Sequence, residues 1–220
     1  MAIPKISGYT LPTRSEIPDN KVGWQVDPSR AALLIHDMQN YFVDAYVDAS
    51  ETISPVVANI VSLRDRAAEL GIPVVYTMQP GDQHPSRRGI LADFWGPGLG
   101  TGRDTQIIDA LAPRRGDIEV TKWRYSAFQR TDLRELLGHH RRDQLIVTGV
   151  YAHMGCMLSA AEAFMSDVCP FLVLDATADF SRDEHILAAT YAAKRCGAVV
   201  TTDEVARALR REPAAAGAIR

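Results

Sequence analysis

The chain has 220 residues, 46% of them hydrophobic and 23% charged, which supplies apolar surface for one sizeable core and excludes a disordered polypeptide. A formal charge of -3 lacks the basic excess of nucleic-acid-binding domains, so no nucleic acid is expected as a partner. Cys156, Cys169 and Cys196 form no Cys-x-x-Cys pair, suggesting neither a disulfide framework nor a thiolate metal site and fitting a reducing, cytoplasmic location.

Residues 1–28, rich in Pro and polar side chains, read as an extended arm laid over the domain, with no leader pattern in them. No apolar run in the chain approaches the ~18 residues of a membrane span, so no membrane association is expected. "AALLIHD" (31–37) is a short apolar run bounded by polar residues, as expected of a strand buried on both faces. A helix is expected next, with Ser54 as N-cap, Pro55 in the first turn, and Val56, Ile60, Leu63, Ala67 and Leu70 at helical spacing before Gly71.

"IPVVYT" (72–77) is the second strand, and the alternation continues: "TQIIDALA" (105–112) helix, "IEVTKW" (118–123) strand, "TDLRELLGHH" (131–140) helix capped by Thr131, "DQLIVTGV" (143–150) strand. Then come "MLSAAEAFMSDV" (157–168) as helix, "PFLVLDA" (170–176) as strand, a helix opening on a Ser181–Glu184 capping box, and "AVVTT" followed by "DEVARAL" as a last strand and helix. This pattern predicts an α/β fold of βαβ units, a doubly wound parallel sheet covered on both faces. The expected organisation is the arm, a single domain over 29–210, and a small polar tail over 211–220, with no linker dividing them.

In such a sheet, ligands bind beyond the carboxyl ends of the strands. Asp37, Gln79, Lys122 and Tyr151 fall there. Each also has a plain structural reading: a turn cap for Asp37, a loop residue before Pro80 for Gln79, a surface lysine for Lys122, and core packing for Tyr151. Together, a carboxylate, an amide, an ammonium and a phenol at successive strand ends make a candidate site. His36 is expected to alternate away from Asp37 and to be a core histidine. His139 and His140, beside Arg141 and Arg142, read as a solvated helix end. "GPGLGTG" (96–102) lacks the Gly-Lys-Ser/Thr ending of a phosphate loop and reads as a connector.

"ALLIHDMQNYF" (32–42), "DFWGPG" (93–98), "KWRYSAF" (122–128), "GVYAHMGCM" (149–157) and "FLVLDATADFSRDEH" (171–185) resemble the isochorismatase family, in its isochorismate-cleaving branch. The resemblance implies a three-layer fold around six parallel strands, a frequent cis peptide at Val150-Tyr151, and a pocket lined by Phe42, Gln79, Arg88, Trp95, Tyr125, Tyr151 and Gly155. Core packing remains the competing reading of Trp95. Cysteine amidohydrolases of the wider family carry an Asp-Lys-Cys triad, and laying their pattern on "GVYAHMGC" puts the cysteine position at Gly155, one residue before Cys156. One residue turns a helical side chain by ~100°, so Cys156 is expected to be a small buried hydrophobe. "GDQHP" (81–85) resembles part of a metal motif of nicotinamidase-like enzymes, but no histidine follows His84 until His139, and two ligands do not make up the usual three of a catalytic zinc. No metal or cofactor is expected.

The activity implied is hydrolysis of an enolpyruvyl ether, which needs a proton donor and no nucleophile. Asp37 is the expected acid, with Lys122 beside it to orient a carboxylate or to bond Asp37. An ordinary aspartic acid is only about 0.1% protonated at pH 7. Burial and a dianionic substrate would raise its pKa, and Lys122 would lower it. Isochorismate, in siderophore synthesis, and 2-amino-2-deoxyisochorismate, in phenazine synthesis, are both compatible substrates. A cysteine amidohydrolase and a non-catalytic synthetase partner are the competing classes. The resemblance implies a homodimer; no carrier-protein domain is expected in the chain, so a carrier or synthetase would be a separate partner.

Overall fold

The computed structural model describes residues 3–210; the expectation for the tail over 211–220 lies outside the described residues. Six strands, β1 (Ala31–His36), β2 (Val74–Met78), β3 (Ile118–Thr121), β4 (Gln144–Val150), β5 (Cys169–Ala178) and β6 (Ala198–Val200), form one sheet in the order β3-β2-β1-β4-β5-β6. Every neighbouring pair is parallel. The chain leaves β1 toward one edge and returns to build the other half from β4, so the topological switch point lies between β1 and β4, where an open sheet of this kind offers its ligand crevice.

Alternation along β1 feeds two cores. Ala31, Leu33 and Ile35 pack on one face with Val56, Ile60, Leu63 and Ala67 of α2 (Ser50–Glu69) and Val205 of α8 (Thr202–Ala208). Ala32 and Leu34 pack on the other with Leu133 and Leu137 of α5 (Leu133–His139), Ala160 and Ala163 of α6 (Met157–Met165) and Ala189 of α7 (Arg182–Tyr191). Both faces of β1 are dry, which is why the run is apolar without interruption. Each such Leu or Ile contributes roughly 1.5–3 kcal/mol by leaving water.

Three expected elements differ. α5 begins after an Asp132 N-cap, one residue past the expected Thr131. The helix before β2 begins at Ser50 after an Ala49 N-cap, so Pro55 lies inside it rather than in its first turn. The early start is held by a tertiary contact: Thr52 Oγ1 accepts from Tyr9 N–H at 2.7 Å and donates to Tyr9 O at 2.6 Å. Pro55 sits on the exposed side, where water can take the carbonyl its missing N–H leaves unpaired. Residues 105–112 form no α-helix; they hold the end of one 3-10 turn, Gly102–Thr105, and another, Asp109–Leu111. Asn40 is the reason: its N–H donates to Gln106 O at 2.8 Å, its amide to Arg103 O and Gln106 O, and Ile108 N–H donates to Met38 O at 3.0 Å. Groups that would close helical turns are bonded to the segment after β1 instead.

Residues 3–30 cross the surface with one 3-10 turn, Arg14–Glu16. Asn20 Nδ2 donates to Val199 O and its Oδ1 accepts from Val199 N–H, a side-chain rung that covers the β6 edge. Among the described residues, no helix is long and apolar enough to cross a membrane.

Candidate active site

β1 ends in a break of its own alternation. Asp37 takes the left-handed region at φ 49°, which a short polar residue tolerates better than most, and its side chain turns into a pocket at the switch point. The residue is 3% exposed and both carboxylate oxygens are engaged. Thr77 Oγ1 donates to Oδ1 at 2.7 Å, Gln79 Nε2 to Oδ2 at 3.2 Å, and Lys122 Nζ lies 2.8 Å from Oδ2. Lys122, at 1% exposure, also donates to Arg124 O at 2.8 Å. Burial pushes the Asp37 carboxyl up, but the Lys122 ammonium and the hydrogen bonds from Lys122 and Thr77 outweigh it and hold the carboxyl below its usual range.

Gln79 links this pair to Arg88. Its Oε1 accepts from Arg88 Nη1 at 3.3 Å, while Arg88 Nε donates to Gly96 O at 3.0 Å. Gly98, at φ 90°, lets the loop pass the guanidinium, since a Cβ there would stand 3.0 Å from Arg88 Cζ. Gln79 is itself held by Gln39, which is buried and bonds both its N–H and its carbonyl at 2.8 Å. Aromatic rings close the opposite wall: Trp95 Nε1 donates to Tyr125 Oη at 2.6 Å, Tyr151 Oη donates to Phe42 O at 2.8 Å, and the Tyr151 and Phe180 rings lie 4.3 Å apart. The Val150-Tyr151 peptide is cis.

Asp37, Phe42, Gln79, Arg88, Trp95, Lys122, Tyr125, Tyr151 and Gly155, drawn from five stretches of sequence, all line this one pocket of ≈ 550 Å³, part of it open to solvent. Its lining, charged groups set among aromatic rings, suits a small organic acid. Three cations, Lys122, Arg88 and Arg124, against the single carboxylate of Asp37 favour an anionic guest. Sequence reasoning missed Ile3, His36, Tyr41, Arg124, Met154 and Phe180, which also line it. Arg124 had a signal, two residues past Lys122; Ile3 and Phe180 come from segments whose approach is purely tertiary. His36 corrects the expectation that it faces away: the left-handed turn at Asp37 puts both side chains on the pocket.

Cys156 is 0% exposed and packs in the core with Leu34 and Val147; its Sγ is 3.8 Å from Thr148 O. Burial pushes its thiol well up, the opposite of an activated thiolate. His84 caps α3 (Pro85–Arg88), its Nδ1 accepting from Ser86 N–H. The ligand atoms of His153, Asp179 and Glu184 lie within 4.8 Å of one another, but Asp179 is occupied by the His153 ring at 2.6 Å and by the N–H groups of His153 and Phe180. Its evident work is to fix Phe180 behind Tyr151.

The isochorismatase domain family matches residues 31–204. The chain is 54% identical over 215 residues to an isochorismatase of Bacillus subtilis, covering 97% of this chain and 69% of that one. It is 50% identical over 204 residues to phenazine biosynthesis protein PhzD of Pseudomonas fluorescens, covering 92% and 98%. A solved cysteine hydrolase from Pseudomonas syringae pv. phaseolicola superposes with a TM-score of 0.79 at 25% identity, over 87% of this chain and 97% of that one. With the doubly wound parallel sheet and the pocket at its switch point, these similarities make the chain a member of the isochorismatase family.

Proposed function

We propose that the protein hydrolyses the enolpyruvyl ether of isochorismate to pyruvate and 2,3-dihydro-2,3-dihydroxybenzoate, with Asp37 as the proton donor. The observation that carries this reading is the buried Asp37–Lys122 pair at 2.8 Å, in a pocket where position 155 is a glycine and the nearby cysteine is buried in the core. Arg88 and Arg124 receive the two substrate carboxylates, Arg88 through its planar fork. Asp37 protonates the terminal methylene carbon of the enolpyruvyl group, giving an oxocarbenium ion. Water adds to the oxocarbenium carbon, which bears the ether oxygen and the carboxylate, and returns a proton to Asp37. The bond from that hemiketal carbon to the ring oxygen then breaks as the hemiketal hydroxyl gives up its proton and the ring oxygen gains one, releasing pyruvate and the diol.

The proton has to be present first. In the free protein Asp37 is held ionised, and a dianion entering beside it disfavours the carboxylate and raises its pKa. Lys122 keeps the carboxyl oriented and pairs with the carboxylate that forms as the proton leaves. A second substrate, 2-amino-2-deoxyisochorismate, is favoured by the 50% identity to a phenazine biosynthesis protein; the protonation chemistry is the same. The reading includes a cytoplasmic homodimer, with any carrier protein or synthetase acting as a separate partner.

The test is pyruvate release from each substrate by the wild type, Asp37→Asn and Cys156→Ala. Loss of a general acid costs roughly 100- to 10,000-fold, so Asp37→Asn should be nearly silent while Cys156→Ala keeps its rate. No pyruvate from either substrate, or a dead Cys156→Ala, would overturn the assignment and return the site to amide chemistry.

A further inference from the structure

The reaction scheme uses Asp37 and leaves its neighbour without a part, although His36 is 1% exposed and faces the same pocket. The His36 ring is fixed on three sides. Nδ1 lies 2.8 Å from Val150 O, Nε2 lies 3.2 Å from Tyr125 O, and Cε1 points at Gly155. A Cβ added at Gly155 would fall 2.0 Å from Cε1, 2.6 Å from Nε2 and 2.8 Å from Nδ1. All three are closer than non-bonded heavy atoms can approach.

Gly155 is not in the left-handed region, so the backbone there would accept any residue. What it lacks is room, and His36 has taken it. The ring cannot retreat with its strand either: Gly149, at φ 105°, already brings β4 so close that a Cβ there would stand 2.2 Å from His36 O. Burial pushes the imidazole below its ordinary pKa, while both ring nitrogens face backbone carbonyls that hold the ring in place.

We infer that His36 is a specificity-determining residue: its imidazole occupies the space where a side chain at position 155 would stand, so that histidine at 36 with glycine at 155 bars a nucleophile from the helix start and leaves proton transfer as the pocket's chemistry. This rests on the proposed function and extends it from the acid to the residue that excludes the competing mechanism. Cys156 cannot substitute, because it points into the core on the far side of the turn.

The experiment is a double-mutant cycle on the full chain: wild type, Gly155→Ala, His36→Ala and the double variant, with kcat and KM for isochorismate and the thermal midpoint measured for each. Gly155→Ala drives a methyl group into the ring, and the resulting displacement beside Asp37 should lower kcat on the order of 100-fold. Because the two residues are in contact, their effects should not add: His36→Ala in the same chain should restore at least about tenfold of kcat and part of the lost thermal midpoint. Wild-type kcat and midpoint in Gly155→Ala, or a double variant no better than Gly155→Ala, would overturn the inference.

A second arm is independent of substrate. His36→Ala/Gly155→Cys should be alkylated by iodoacetamide at position 155 at least about ten times faster than Gly155→Cys alone, with the buried Cys156 of the wild type as the unreactive control. Equal labelling of the two would overturn the exclusion by His36. If the wild type releases no pyruvate, the proposed substrate fails, while the midpoint cycle and the labelling ratio still decide whether His36 excludes a side chain at 155.

Discussion

The two halves of the sheet are connected differently. From β4 to β6 the crossovers centre on α6 and α7, each followed or preceded by a single π turn, Ala152–Cys156 and Ala192–Cys196. From β2 to β3 the chain spends residues 79–117 on α3, α4 (Leu91–Trp95), two 3-10 turns and loops. The regular half buries small apolar faces of Ala160, Ala163 and Ala189 against the sheet, and the irregular half supplies Gln79, Arg88 and Trp95 to the pocket. A helix must turn its polar groups outward to bury a stripe. A loop whose backbone is bonded by Gln39 and Asn40 is free of that rule and can aim a guanidinium inward.

Breaking the irregular half should therefore cost activity, and breaking the regular half should cost stability. Arg88→Ala removes a buried cation from the pocket and, in the proposed scheme, leaves a substrate carboxylate unpaired, an expected loss on the order of 1,000-fold in kcat/KM, near 4 kcal/mol. Arg88→Lys should recover little of it, since a point charge cannot reproduce the fork; full recovery would show that charge alone matters. On the other side, Leu145, 0% exposed at the start of β4, should lose about 3 kcal/mol of stability as Leu145→Ala, read by urea unfolding, with kcat unchanged at permissive temperature.

A pH experiment sharpens the same division. His185 of α7 is fully buried, its Nε2 3.0 Å from Thr177 Oγ1 and its Nδ1 3.1 Å from Tyr9 Oη. The threonine hydroxyl lies within donating distance of Val173 O, so it accepts from Nε2–H, and Nδ1 accepts from Tyr9. Burial lowers the pKa of the ring from 6.5 to about 4. The unfolded chain binds this proton below about 6.5 and the folded chain only below about 4, so stability is complete above pH 6.5 and falls through that window by about 3 kcal/mol. His185→Gln should flatten the fall; an unchanged pH dependence would exclude His185 as its source. The smallest effect is expected from Cys156→Ala: about 1 kcal/mol from the vacated sulfur volume, and no change in pyruvate release.

The largest departures from sequence expectation lie between the end of β1 and the start of β3. "TQIIDALA" has helical spacing, but Asn40, sixty-odd residues upstream, takes its backbone bonds. Pro55 looks like a first-turn residue until Thr52 meets Tyr9 of the arm. His36 follows strand alternation on paper, and one left-handed residue, Asp37, cancels it. Candidate site residues were legible from strand ends and family resemblance; Gln39 and Thr77, which hold Gln79 and Asp37, were not, because nothing local marks a side chain by the partner it will meet.

The sequence by itself determined the alternation of strands and helices, the doubly wound class and the edge of the sheet where polar groups gather. Those follow from periodicity and turn chemistry within a few residues. The tertiary structure alone decided the partners of the Asp37 carboxylate, the space beside Gly155 and the path of residues 79–117. Each is an energy between groups distant in the chain: a lysine 2.8 Å from a carboxylate, a ring where a methyl group would be, and a side-chain amide replacing a helical turn.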